Sequence, residues 1–225
     1  MSSNILIIGA GGVTSHMLPQ LLKMCDPNGS KIAIVDGDIL EERNLDRQLF
    51  LDRHIGLNKA SALKRLYPQI SVKPEFFTRG NAKEILDECN PAVVFVAVDN
   101  HQTRAIILDY LDEMDGTTGI FGVNEYFDSQ SYAYKSEWIN THADPRIRYP
   151  EITKDKSINP TSCQGEAAES TPQLAIANAM SGCMMMHMFW IWVVNENKYN
   201  KQAKENLPYD IRRNISEYSV LNWTE

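Results

Sequence analysis

A short apolar run that stops on glycine constrains this chain most: Asn4–Ile8 leads directly into Gly9-Ala10-Gly11-Gly12. A buried strand cut by a Gly-rich turn ahead of a helical pattern is how a βαβ unit begins. The alternation then repeats. Apolar spacing predicts a helix over 14–24, with Met17, Leu18, Leu21 and Leu22 on one face and Pro19 near its first turn. Lys31–Val35 is the second strand, and 58–67 a helix ended by Pro68. Residues 71–77 alternate and carry Pro74, which suits an edge strand because proline cannot donate to a central ladder. Asn81 with Glu84 resembles a capping box for a helix ending near Cys89. The Val-rich run 92–98 has the continuous apolarity of a strand buried on both faces. A helix over 101–114 and a strand over 119–123 follow.

Beyond that point the pattern changes. Residues 128–134 read as a strand, and 135–171 as a polar, proline-interrupted loop. A loop of that length in a compact domain is more often functional than idle. Residues 172–195 form a long apolar helix, and 207–223 a small hairpin. The expected fold is α/β and Rossmann-like, with a mostly parallel central sheet, flanking helices and a C-terminal antiparallel extension. The organisation expected is one domain over 1–225. Residues 1–125 make a nucleotide-binding core, and 126–225 a crossover loop, long helix and extension.

The net charge of −7 argues against non-specific binding of nucleic acid or an anionic membrane, since neither phosphate-rich surface attracts an acidic protein. The most apolar stretch, 184–194, is too short to span a bilayer and reads as a core or subunit-contact helix. The run after Met1 is too short for a signal peptide, and Cys25, Cys89, Cys163 and Cys183 lie far apart without CxxC spacing. A cytoplasmic protein with reduced cysteines is the expectation.

Gly9, Gly11 and Gly12 permit a tight turn and let backbone N–H groups approach a phosphate at a helix N-terminus. Thr14 stands where a dehydrogenase fingerprint carries its third glycine, which disfavours an NAD(P)-dependent oxidoreductase. Asp36, closing the second strand, is placed to accept ribose hydroxyls. Arg47 offers a rigid fork for phosphate and Lys59 a flexible point charge. Asn44 can donate through its amide. Asp99 follows a parallel strand, where open α/β sheets bind ligands, and its carboxylate suits Mg²⁺. Each residue alone has a plain reading: Arg47 beside Asp46 as a surface ion pair, Lys59 as a solvated helix start, Asp99-Asn100 as a helix cap.

Taken together, Asp36-Gly37-Asp38, Glu41, Asn44-Leu45-Asp46-Arg47-Gln48, Gly56-Leu57-Asn58-Lys59-Ala60 and Val98-Asp99-Asn100 with Arg104 resemble the ubiquitin-activating E1 superfamily. That superfamily includes bacterial activators of sulfur-carrier proteins for thiamine and molybdopterin synthesis, and the chain looks like a small stand-alone ThiF-like member. The resemblance covers nearly half the chain, from Ile5 to about Arg104. It implies a nucleotide site in which Asp38 and Asn100 join the glycines, Asp36, Asn44, Arg47, Lys59 and Asp99. It also implies Mg²⁺-dependent attack of a carboxylate on the α-phosphate of ATP. The carboxylate would be the C-terminus of a ubiquitin-like or sulfur-carrier protein or peptide.

The family often carries a cysteine in a mobile crossover loop, and Cys163 in Asn159-Pro160-Thr161-Ser162-Cys163-Gln164 is the candidate to accept the activated carboxyl. A free structural cysteine is the alternative there. Cys25, Cys89 and Cys183 read as packing, His187 as a core or interface histidine, and 144–150 as a carrier-recognition stretch or a solvated basic loop. Relatives also carry paired-cysteine zinc ligands, which this sequence lacks, so no structural zinc is expected. Only Met1–Asn4 precede the first strand, so the arginine arm that relatives reach across a dimer is expected from another residue or a separate subunit. Family analogy implies a homodimer using the 172–195 helix or nearby surface. A non-catalytic subunit that needs a partner is the other reading.

Overall fold

The computed structural model describes residues 3–124, 128–154, 174–195 and 207–214. These residues form a seven-stranded sheet in the order β3-β2-β1-β4-β5-β6-β7. Strands β1 (Asn4–Ile8), β2 (Lys31–Val35), β3 (Ser71–Lys73), β4 (Val93–Val96) and β5 (Thr118–Asn124) run parallel. Strands β6 (Asp128–Tyr134) and β7 (Asp210–Asn214) add antiparallel beyond β5. Strand order reverses between β1 and β4, which opens a crevice at the carboxyl ends of those two strands.

Side chains of β1 alternate between two cores, which is why its sequence is apolar throughout. Ile5 and Ile7 join Ile34 and Phe95 under α1 (Gly12–Met24), α2 (Lys59–Leu66) and α7 (Ala175–Phe189). Leu6 and Ile8 join Val94 and Val96 under α3 (Ala82–Cys89) and α4 (His101–Leu111). Helix α7 packs on α1, β5 and β6. Its packed side meets all three, while Ile176, Cys183 and His187 stay exposed.

Several expectations shift. Helix α1 begins at Gly12, two residues earlier than the apolar spacing indicates, with the extended Gly11 as its N-cap. Strand β3 stops at Lys73, so Pro74 ends the edge strand rather than sitting within it. Strand β4 stops at Val96, although Ala97 still donates to Ile8 across the ladder at 2.8 Å. No capping box forms at α3: Asn81 makes no cap hydrogen bond and accepts instead from the Thr78 backbone at 2.8 Å. The polar segment after β6 is partly structured, with α5 (Pro145–Arg148) and α6 (Glu151–Lys154).

The apolar helix expected over 172–195 forms, and it extends well beyond the run 184–194. Ala175–Val194, 20 residues, is long and apolar enough to cross a membrane by length and composition, but most of it is buried within the domain. It ends in a π turn, Trp190–Val194. Cys183 and His187 are exposed on it, so neither serves as core packing. In the basic stretch, Arg146 is committed to Asp112 at 2.7 Å and Asp144 at 3.0 Å, and Arg148 to Asp210 at 2.7 Å. Those arginines brace β6 and β7 rather than forming a solvated basic loop. In the tail, β7 pairs with β6; the rest of the expected hairpin lies outside the described residues.

Candidate nucleotide site

The site is built at the carboxyl ends of β1, β2 and β4. Gly9 has φ +97°, and a Cβ there would overlap the Ala97 carbonyl oxygen. Only glycine accepts that conformation and that approach together. The Gly9 N–H donates to Val35 at 2.9 Å, so this turn is clamped between β2 and β4. Gly11 then caps α1 with no side-chain hydrogen bond. Among the described residues no side chain of the N-cap thus satisfies the first-turn N–H groups of α1, and unpaired N–H groups at a helix start suit an anion. Thr14 is buried and its Oγ1 donates to the Gly9 carbonyl at 2.6 Å, holding the turn shut from below.

Asp36 bridges this turn and the acidic loop. Its Oδ2 accepts from the Ala10 N–H at 2.6 Å and its Oδ1 from the Asp38 N–H at 2.7 Å. Burial raises its pKa to about 6; the neighbouring Asp38 adds to the shift, while the Ala10 hydrogen bond and Lys59 oppose it. Lys59, at the start of α2, is buried and donates to Asp38 Oδ2 at 2.8 Å. The phosphate cation of the sequence reading is therefore paired with the second acid of Asp-x-Asp, and would have to exchange that partner for a phosphate.

Arg47 projects from the loop after the 3-10 turn Glu42–Asn44. Asn44 is buried, and its Oδ1 accepts from the Glu41 N–H at 3.0 Å, so that oxygen shapes the loop and leaves the amide N–H₂ for other partners. The Arg47 guanidinium is half-buried. Burial and Arg43 lower its pKa; Asp46 and Asp99 act the other way, which places Asp99 within electrostatic reach of Arg47.

Asp99 is exposed just beyond β4. Asn100 spends its Oδ1 on capping α4, accepting from Thr103 N–H at 2.8 Å. Arg104, buried, donates to the Val98 carbonyl at 2.7 Å and holds this turn from beneath. Among the described residues no three His, Cys, Asp or Glu side chains form a group that could hold a metal. A single carboxylate suits Mg²⁺ nonetheless, because that ion takes one or two carboxylates and fills its shell with substrate phosphates and water. Cys163 lies outside the described residues.

Three polar residues that sequence reasoning missed hold these parts in register. Asn58 donates to the carbonyls of Asp36 at 2.7 Å and Asp38 at 3.1 Å and caps α2 through Ser61 N–H at 3.0 Å. Its position directly before Lys59 at a helix start was a readable signal. Ser15 accepts from the Leu49 N–H at 3.1 Å, tying the Arg47 loop to α1. Asn178, from α7, donates to the Arg47 carbonyl at 3.4 Å. Neither Ser15 nor Asn178 belongs to a motif.

Comparison with known proteins agrees with this geometry. The chain matches the ThiF family over residues 1–222. It is 28% identical over 186 residues to the adenylyltransferase and sulfurtransferase UBA4 of Lodderomyces elongisporus, covering 80% of this chain and 39% of that protein. It is 35% identical over 136 residues to a probable molybdopterin-synthase adenylyltransferase of Porphyra purpurea, covering 57% of this chain and 34% of that one. The chain thus spans little more than a third of the length of these relatives. In fold it is similar to the E. coli tRNA N6-threonylcarbamoyladenosine dehydratase solved with AMP, with a TM-score of 0.64, 16% identity and 88% of each chain covered. A Gly-rich turn clamped between β2 and β4, Asp36 and Asp99 at strand ends, and a family match over nearly the whole length lead to one assignment: the chain belongs to the ThiF family.

Proposed function

We propose that this chain binds ATP with Mg²⁺ and adenylates the C-terminal carboxylate of a ubiquitin-like or sulfur-carrier protein or peptide, releasing pyrophosphate. The observation that carries the reading is the convergence at one crevice of the start of α1, the strand-end Asp36, the cations Arg47 and Lys59, and the exposed Asp99. The adenylyltransferase names of the relatives support it.

The chain's own groups would act as follows. Asp36 accepts ribose hydroxyls, and the α1 N–H groups take a phosphate. Arg47 offsets charge that develops as the α-phosphate is attacked. Lys59 leaves Asp38 to do the same. Asp99 would hold Mg²⁺, which when bound supplies charge neutralisation across the phosphates. The rate gain comes from placing the two substrates and offsetting charge, not from a protein nucleophile in this step. Cys163 would act afterwards, accepting the acyl group as a thioester with release of AMP.

We further propose a cytoplasmic homodimer. Ile176, 57% exposed, and Trp190, 46% exposed, stand on the outer face of α7 and suit a contact with a second copy. The test of the central reading is pyrophosphate–ATP exchange with carrier candidates. Exchange that needs both Mg²⁺ and a carrier is expected. ATP binding without exchange, across a broad carrier set, favours instead a subunit that needs a partner.

A further inference from the structure

Asn178 is an asparagine at 1% exposure on a helix whose other buried residues include Ala177, Met184, Met185, Met188 and Phe189. A buried amide there must find partners, and it finds them on the Arg47 loop and at the carboxyl end of β5. Its Oδ1 accepts from Asn124 Nδ2 at 2.9 Å, at the carboxyl end of β5. Its Nδ2 donates to the Arg47 carbonyl at 3.4 Å. The same amide lies over the Gly-rich turn: a Cβ on Gly12 would come within 2.6 Å of it. One side chain therefore touches the phosphate cradle, the Arg47 loop and the end of β5.

Arg47 itself is loosely anchored. Among the described residues its guanidinium makes one hydrogen bond, to the Arg43 carbonyl at 3.4 Å. Where the fork points thus depends on the backbone that carries it. That backbone is pinned from two helices, at Leu49 by Ser15 of α1 and at Arg47 by His16 of α1 together with Asn178 of α7.

We propose that Asn178 is a positioning residue for the phosphate end of the nucleotide site, fixing the Arg47 backbone against the Gly-rich turn so that the guanidinium is presented to the phosphates of ATP. The inference rests on the ATP reading given above. It assigns α7 a second task beyond filling the core, since the helix that closes one side of the sheet also sets the aim of a cation on the facing loop. Asn124 acts one step further out, by holding the Asn178 amide in the orientation that donates to Arg47.

Calorimetric titration of the full chain with ATP and, separately, with adenosine tests this. Asn178→Leu keeps the branched shape and the number of side-chain heavy atoms and adds no charge, but removes both hydrogen bonds. It is expected to weaken ATP about tenfold, the scale of one lost hydrogen bond to a charged system, while adenosine changes less than about twofold. In an Arg47→Ala background the same substitution is expected to add nothing, because coupled residues are non-additive. Asn124→Ala, which leaves the packing over Gly12 untouched, is expected to give a smaller loss of the same ATP-selective kind. It decides the matter if Asn178→Leu fails to fold. Equal weakening of ATP and adenosine, or losses that multiply with Arg47→Ala, overturns the proposal. A wild-type chain that binds no ATP overturns the site reading itself, a distinct result.

Discussion

Asp36 holds two loops with one carboxylate, and under the proposed ATP reading its protonation would tie nucleotide affinity to pH. Its ordinary value of 3.8 rises to about 6 in the fold, chiefly through burial. The folded state therefore binds a proton more readily than the unfolded chain between those values. The group's contribution to stability is most favourable below about pH 4 and declines as pH rises through about 6. For ATP the direction is opposite, because the ionised carboxylate is the better acceptor for ribose hydroxyls. ATP affinity is expected to rise with pH through about 6 and then level, and Asp36→Asn to flatten that profile in a titration series. Gly9→Ala forces a Cβ into the Ala97 carbonyl at positive φ, and a loss of at least about 2 kcal/mol in denaturant unfolding is expected. Asp36 and Gly9 were legible in the sequence because strand ends and glycine turns carry fixed stereochemistry. Asn178 was not, because a lone amide in an apolar helix becomes meaningful only once the fold shows what it faces.

Elements were legible where periodicity was strong and failed where a local competitor won. Proline cut β3 short, and Asn81 chose the Thr78 backbone over the cap of α3, as asparagine side chains readily do when a nearby turn offers donors. Helix α7 misled differently. Its run of methionines and aromatics said only that it was apolar, and the fold shows one side packed on α1, β5 and β6 with Ile176, Cys183, His187 and Trp190 left outside. The proposed dimer lives at this scale. Trp190→Glu places a charge on that outer face and is expected to shift sedimentation from dimer to monomer at micromolar concentration. A wild-type chain that sediments as a monomer contradicts the dimer, and an unchanged dimer in the variant moves the contact off α7.

At the scale of the molecule, the alternation of strands and helices up to Val123 was enough to give a mostly parallel sheet, whereas the strand order, and with it the switch between β1 and β4, came from the fold. The antiparallel addition of β7 was not readable in detail, because Asp210–Asn214 pairs with a strand some eighty residues earlier and is braced by Arg148 of α5 through Asp210. The crevice is why the proposed site draws on Asp36, Lys59 and Asp99, which are spread over more than sixty positions. The most direct test is intact mass spectrometry of small carrier proteins incubated with this chain, ATP and Mg²⁺. The account predicts an adenylated carrier with the wild-type chain, none with Asp99→Ala, and adenylate without any thioester with Cys163→Ala. A Cys163→Ala chain that forms no adenylate, or an Asp99→Ala chain that forms it unimpaired, contradicts the roles assigned here.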